Sequence, residues 1–267
     1  MIIVTGTARS GTSMWMQILI AAGYPPIGEQ FPRDWGTSLH EANRGGFWES
    51  TLREGINFQT NPNPETGTYI RPDQVTTHAV KVFIRGLVRS DLAYLGRVVA
   101  TARHWRGHSA SMRRLWALED EVPGRRAPPR LDPALLWFAQ NFSLLGDMAL
   151  RGYPVRLCAY EDVIARPRET LAPILEWLGG GDLDAAVDAV GDRAPSEPDD
   201  ESAHEHQDAF DILYQALRSA RPPGAADREH LASAYAAIMP RISAYEDELD
   251  QLRARAGSTT SSTESAP

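Results

Sequence analysis

With 267 residues, 42% of them hydrophobic and 23% charged, the chain has the composition of a folded globular protein, enough for one large or two small domains, and wholesale disorder is excluded. Its net charge of −8 argues against a general binder of nucleic-acid backbone, so any anionic ligand must be met by a local group of cations. A single cysteine, Cys158, excludes an internal disulfide framework and a cysteine zinc site. No run of about 18 apolar residues is present and Met1-Ile2-Ile3-Val4 has no basic n-region, so a cytoplasmic protein without a membrane span is expected.

Residues 2–5 are a β-branched run without a polar break and predict a buried strand. Small and polar residues follow over 6–13. Apolar residues at near-helical spacing then occupy 14–22 and stop at Gly23, ahead of Pro25-Pro26. Runs at 79–84, 97–102 and 155–160 predict further strands; 109–119, 131–150 and 168–178 predict helices. Strands alternating with helices predict the α/β class, here a three-layer P-loop fold with a central parallel sheet flanked by helices. Residues 59–74 and 121–133, rich in Pro, Asn, Gly and Arg, read as loops that either cover a site or move. Residues 195–208 read as an acidic, solvated linker, and 230–255 as an amphipathic helix. The low-complexity end, 257–267 (GSTTSSTESAP), reads as a disordered tail, leaving one domain over 1–256.

The loop Gly6-Thr7-Ala8-Arg9-Ser10-Gly11-Thr12-Ser13 stands between a predicted strand and a predicted helix. Successive backbone N–H groups and a helix N-terminus can cradle an anion there. The spacing is that of a Walker A loop, but Thr12 holds the lysine position and the cation has moved to Arg9. Without that lysine a nucleoside-triphosphate enzyme loses its reach to the β- and γ-phosphates. One count adds to this. Lys and Arg total 27, and Lys81 is the only lysine among them, which points to a place where arginine would not serve.

Arg9-Ser10-Gly11-Thr12-Ser13 is similar to the (K/R)-S-G-T-(S/T) loop of the sulfotransferases that use 3′-phosphoadenosine-5′-phosphosulfate (PAPS), which grips the 5′-phosphosulfate. Arg103, after the strand at 97–102, and Ser111, eight residues on, match the family's 3′-phosphate motif, with Ser109 a nearby alternative. A guanidinium forks onto phosphate oxygens and a helix-start hydroxyl adds a donor. Tyr160-Glu161-Asp162, then Pro167 and Ile174-Leu175-Glu176-Trp177-Leu178-Gly179, resemble the family's Y-E-D-L…P…I-L-x-F-L-G block, in which Tyr160 is expected near the nucleotide. Asn43-Arg44-Gly45-Gly46-Phe47-Trp48-Glu49 resembles the N-P-x-G-Y-W-E segment of bacterial members. The resemblance covers 1–179 and implies PAPS as co-substrate, no metal, and a small-molecule or glycan acceptor. It implies nucleotide contacts at Arg9, Ser10, Gly11, Thr12, Ser13, Met14, Arg103, Ser111 and Tyr160. Met14 stands where many members carry an adenine-stacking Trp, and the family's later R-K-G loop has no match beyond a nomination of Arg193.

Sulfuryl transfer needs a base for the acceptor's proton, cations for the charge building on the leaving phosphate, and in-line positioning. Arg9 and Lys81 are the candidate cations. For the base, Phe83 stands where well-studied cytosolic eukaryotic members place a histidine, so another group must serve. Glu49, closing its segment between aromatics, is the first choice, with His40 and Glu41 as alternatives. His78 reads as structural, His104 and His108 as lining the nucleotide side, and His204 and His206 as exposed polar filler. The loops over 28–53, 59–74 and 121–133 are expected to shape the acceptor site. A small-molecule P-loop kinase and a non-catalytic PAPS- or PAP-binding protein (PAP being the desulfated nucleotide) are the competing readings.

Overall fold

The structure, a computed structural model, describes residues 1–31, 47–121, 127–193 and 204–261. Its strands are Ile2–Thr5 (β1), Pro26–Ile27 (β2), Glu29–Phe31 (β3), Phe47–Glu49 (β4), Ala79–Lys81 (β5), Arg97–Ala102 (β6) and Val155–Ala159 (β7). Its helices are Thr12–Ala21 (α1), Ile84–Leu87 (α2), Trp105–Asp120 (α3), Pro133–Arg151 (α4), Tyr160–Ala165 (α5), Pro167–Leu178 (α6), Leu183–Asp188 (α7), Gln207–Ser219 (α8) and Ala225–Ser261 (α9).

Five strands form an all-parallel sheet in the order β2-β5-β1-β6-β7, so the fold is α/β as the alternation predicts. The buried run Ile2–Thr5 takes the centre because its side chains are apolar on both faces. Ile2 and Val4 point to one side, packing with Trp15, Ile18 and Leu19 of α1 and Leu171 and Leu175 of α6. Ile3 points to the other, with Val80, Val98, Ala100 and Leu144 of α4. Each such side chain contributes roughly 1.5–3 kcal/mol by leaving water. A further core joins α3, α4, α8 and α9 through Trp105, Trp137, Phe138, Phe210, Leu213, Leu231 and Ile238. Helices therefore cover both faces of the sheet. Because its strands run the same way, the turns leaving β1, β5, β6 and β7 collect at one edge.

Several elements differ from expectation. The strand expected over 79–84 ends at Lys81: the Phe83 amide donates to the Arg53 carbonyl (2.9 Å) instead of continuing the ladder, and α2 begins. The strand at 155–160 stops at Ala159, and Tyr160 opens α5. Helix α3 starts at Trp105, ahead of 109, where His104 Nδ1 accepts from the Arg106 amide (3.3 Å). Residues 59–74 are held rather than loose. Buried Asn61 exchanges two 2.8 Å bonds with the Ile70 backbone and donates to Tyr94 (2.7 Å), pinning the segment beside the start of β6. Of the acidic linker, 195–203 lies outside the described residues and 207–208 already belongs to α8. Helix α9 runs on to Ser261, past the point where a tail was expected. Once nucleated, a helix gains a hydrogen bond for each residue fixed, so a run of polar Ser and Thr can extend it. Among the described residues no helix is long and apolar enough to cross a membrane.

Candidate functional site

The loop between β1 and α1 is fastened from within. Ser10 Oγ donates to the Thr7 carbonyl (2.7 Å), and Thr101 Oγ1 of β6 donates to the Ser10 carbonyl (2.9 Å). Arg9 (φ 66°) and Gly11 (φ 97°) both take left-handed backbone, a strain that Arg9 accepts only because its neighbours hold it. Gly11 has a second reason to be glycine: a Cβ there would stand 2.7 Å from the ring of Tyr160. Thr12, Ser13 and Met14 follow as the buried first turn of α1, which has no side-chain cap and no acidic residue. Their amides have no intrahelical acceptor and face the loop, the arrangement that suits an anion.

Two groups of charge flank this loop. Toward β6, Arg9 Nε donates to Ser111 Oγ (3.1 Å), and Arg103 Nη1 donates to the Arg9 carbonyl (3.2 Å). The Arg103 guanidinium lies 4.4 Å from the centre of the Tyr160 ring. Trp137 Nε1 donates to the Arg103 carbonyl (2.9 Å) and fixes the strand end. Burial, then the charge of Arg103, pushes Arg9 down to about 10. Arg103 is also lowered, again chiefly by burial. Of the two candidate serines, Ser111 meets Arg9; Ser109 Oγ is buried without a hydrogen-bond partner among the described residues. Arg193 comes to the same edge, donating to Gln17 of α1 (2.5 Å), with Tyr160 offsetting its burial.

Toward β5, Lys81 ends its strand only 2% exposed, with Nζ 2.5 Å from Glu49 Oε1 and 3.4 Å from Ser13 Oγ. Burial lowers the Lys81 ammonium and the Glu49 carboxylate opposes that shift. The β3–β4 hairpin delivers Glu49 through the antiparallel pair Glu29↔Glu49. Glu49 Oε2 is buried, has no hydrogen bond among the described residues, and stands 3.8 Å from Arg53. Phe83 sits beside this group, its ring 5.0 Å from Nζ.

His40, Glu41 and 43–46 lie outside the described residues. His78 lies just before β5, at the strand end opposite Lys81, where its carbonyl accepts from Ile2 (2.8 Å). His108 is fully buried under the loop, bonded to the Ala8 backbone and pushed down to about 3 by burial. His104 caps α3 and packs edge-on against Tyr214. The expectation of exposed filler at His204 is corrected: its side chain is 9% exposed and packs 4.7 Å from Phe210, drawn onto the core by the start of α8. Among the described residues no three His, Cys, Asp or Glu side chains gather as metal ligands. Two arginines went unnoticed in the sequence. Arg53 lies in the turn four residues after Glu49, 3.8 Å from its Oε2, and Arg114 three residues after Ser111 on α3, a spacing that puts the two on one helical face.

The fold is that of an α/β protein with a five-stranded parallel sheet and a glycine-containing loop joining β1 to α1. No family model matches the chain, and no curated protein matches it in sequence. Among solved structures it is similar to the sulfotransferase domain from the curacin biosynthetic pathway, at 11% identity and a TM-score of 0.37, over 87% of this chain and 96% of that one. It is similar also to the sulfotransferase domain from the Synechococcus PCC 7002 olefin synthase, at 17% identity and a TM-score of 0.40, over 88% and 94%.

Proposed function

We propose that the protein is a sulfotransferase that moves a sulfuryl group from PAPS to an acceptor hydroxyl or amine and releases PAP. The observation that carries this is the Arg9–Ser111–Arg103 group, a second cationic subsite joined to the phosphate loop. A nucleotide with phosphate at both the 5′ and 3′ positions fits such a pair of subsites; ATP has no use for the second. The ends of β6 and β7 carry Arg103 and Tyr160, not the metal-binding aspartate that a P-loop kinase needs.

In this reading the loop amides, Ser10, Thr12 and Ser13 hold the 5′-phosphosulfate, with Met14 behind them. Arg103 and Ser111 hold the 3′-phosphate and Tyr160 the nucleoside side. Glu49 Oε2, buried and without a hydrogen bond among the described residues, takes the proton from the acceptor. The acceptor oxygen or nitrogen bonds to sulfur as the bond from sulfur to the phosphate oxygen breaks. Lys81, between Glu49 and Ser13, and Arg9, across the loop, meet the charge that builds on that leaving oxygen.

Calorimetric titration with PAP, against ATP plus magnesium, tests the nucleotide. Tight PAP and weak ATP binding is expected, and preference for ATP overturns the reading. Release of PAP from PAPS over a panel of phenols, sugars and amines then tests turnover. Binding with no turnover on any of them would make this a nucleotide-binding protein.

A further inference from the structure

Resting on that reading, we infer that Arg53 is a specificity-determining residue of the acceptor site and that the acceptor carries a carboxylate close to the hydroxyl that receives the sulfuryl group. The Arg53 guanidinium stands 3.8 Å from Glu49 Oε2, the oxygen assigned to the acceptor's proton, and 3.9 Å from Glu54. Both are ion pairs too long to be hydrogen bonds, and the guanidinium makes no hydrogen bond among the described residues. Each of these carboxylates also has a closer cation. Lys81 lies 2.5 Å from Glu49 and Arg85 lies 3.6 Å from Glu54. The Arg53 side chain is 47% exposed, so its donors face solvent beside a buried Oε2.

The backbone that carries this loosely paired head group is fixed. The Arg53 amide donates to the Ser50 carbonyl (3.2 Å), and the Arg53 carbonyl accepts from the Phe83 amide (2.9 Å). Leu52 before it is buried, and Gly86 of α2 packs so closely that a Cβ there would stand 2.7 Å from the Arg53 carbonyl oxygen. A rigid mount holding unspent donors suits an arginine that orients a ligand. Its planar fork offers two parallel N–H groups, the geometry that fits a carboxylate. An acceptor hydroxyl bonded to Oε2 lies next to that fork, so hydroxyl and carboxylate have to be near neighbours on the acceptor, as in a 2- or 3-hydroxy acid.

The test titrates the protein loaded with PAP, by calorimetry, with mandelate and tropate, a 2- and a 3-hydroxy acid, each beside its methyl ester. Wild type is expected to bind the acids more tightly than the esters. Arg53→Gln, at a half-exposed position and checked for folding by near-ultraviolet circular dichroism, should weaken the acids about 10-fold and the esters less than about 3-fold. Arg53→Lys should recover part of the loss, and the salt dependence of acid binding should become shallower in Arg53→Gln. In release of PAP from PAPS, KM for the acids should rise in Arg53→Gln more than kcat falls. Acids and esters bound alike by wild type, equal losses for both in Arg53→Gln, or binding of neither overturns the inference while leaving the proposed activity standing. Acid binding that depends on Arg53 in a protein that releases no PAP from PAPS keeps the carboxylate site and overturns the activity. A wild type that binds no PAP overturns both.

Discussion

Glu49 faces cations on both sides, and replacing it separates two effects. Glu49→Gln should lower turnover roughly 10²–10⁴-fold while leaving PAP affinity nearly intact, because the glutamine cannot take the acceptor proton. It should also lower the melting temperature, since Lys81 keeps a buried charge without its carboxylate. Breaking such a pair costs on the order of 3 kcal/mol when both partners are buried, and somewhat less here, where Glu49 is 15% exposed. Lys81→Met in the same background should restore part of that stability and none of the activity; a double variant no steadier than Glu49→Gln would remove the pair from the account. On the other flank, Arg103→Ala should weaken PAP far more than adenosine 5′-phosphosulfate, and equal losses would sink the 3′-phosphate assignment. Residues close in sequence were legible here. The loop spacing from Gly6 to Ser13 and the step from Arg103 to Ser111 are fixed by the covalent chain. Contacts across the chain were not: Arg9 meets Ser111 from 102 positions away and Lys81 meets Glu49 from 32. The sequence offers the chemical types but not the fold that joins them.

At the scale of elements, α5 is the clasp. Glu161 accepts the His104 amide (2.9 Å) with one oxygen and the Tyr214 hydroxyl (2.7 Å) with the other, tying β7 to the start of α3 and to α8. Beside it, Asp162 takes both ends of the Arg218 guanidinium, at 3.0 and 2.7 Å. Arg218 and Arg166 accordingly hold the Asp162 carboxyl below its usual range. Glu161→Ala leaves a helix-start amide and a partly buried hydroxyl unpaired and should cost about 2–3 kcal/mol, read as a lower urea midpoint. An unchanged midpoint would show that water replaces both bonds. Helix α8 is the element the sequence reading passed over. Its stripe of Ala209, Phe210, Leu213, Tyr214 and Leu217 has helical spacing, but the acidic residues before it drew the eye to a linker. Strands β2, β3 and β4 are only two or three residues long, too short to show any period, so the hairpin that carries Glu49 had no signature.

For the whole molecule, the parallel sheet sets the plan: β1, β6 and β7 end beside the glycine loop, Arg103 and Tyr160, and β5 ends beside Glu49. That plan was legible, because four of its five strands are apolar runs separated by helices. It also carries a liability. His108 lies fully buried beneath the loop, held neutral by burial with Arg103 and Arg9 adding to the shift, and protonates only near about 3. An unfolded chain would protonate it near its ordinary 6.5, so between these values the unfolded state binds more protons. The contribution is intact above pH 6.5 and is lost as pH falls toward 3, by up to roughly 1.4 kcal/mol per unit. Urea midpoints at pH 7 and pH 4.5 should therefore fall more steeply for wild type than for His108→Gln. Parallel declines would place the acid lability elsewhere.

The chain's solitary lysine has a practical corollary. Apart from the terminal amine, an acylating reagent finds one lysine, and that lysine is 2% exposed and paired with Glu49. Acylation of that ε-amine therefore waits for whatever local opening exposes it, and its rate is a clock for that opening. One mass increment on one peptide would time it, and a ligand that steadies the site would slow the clock.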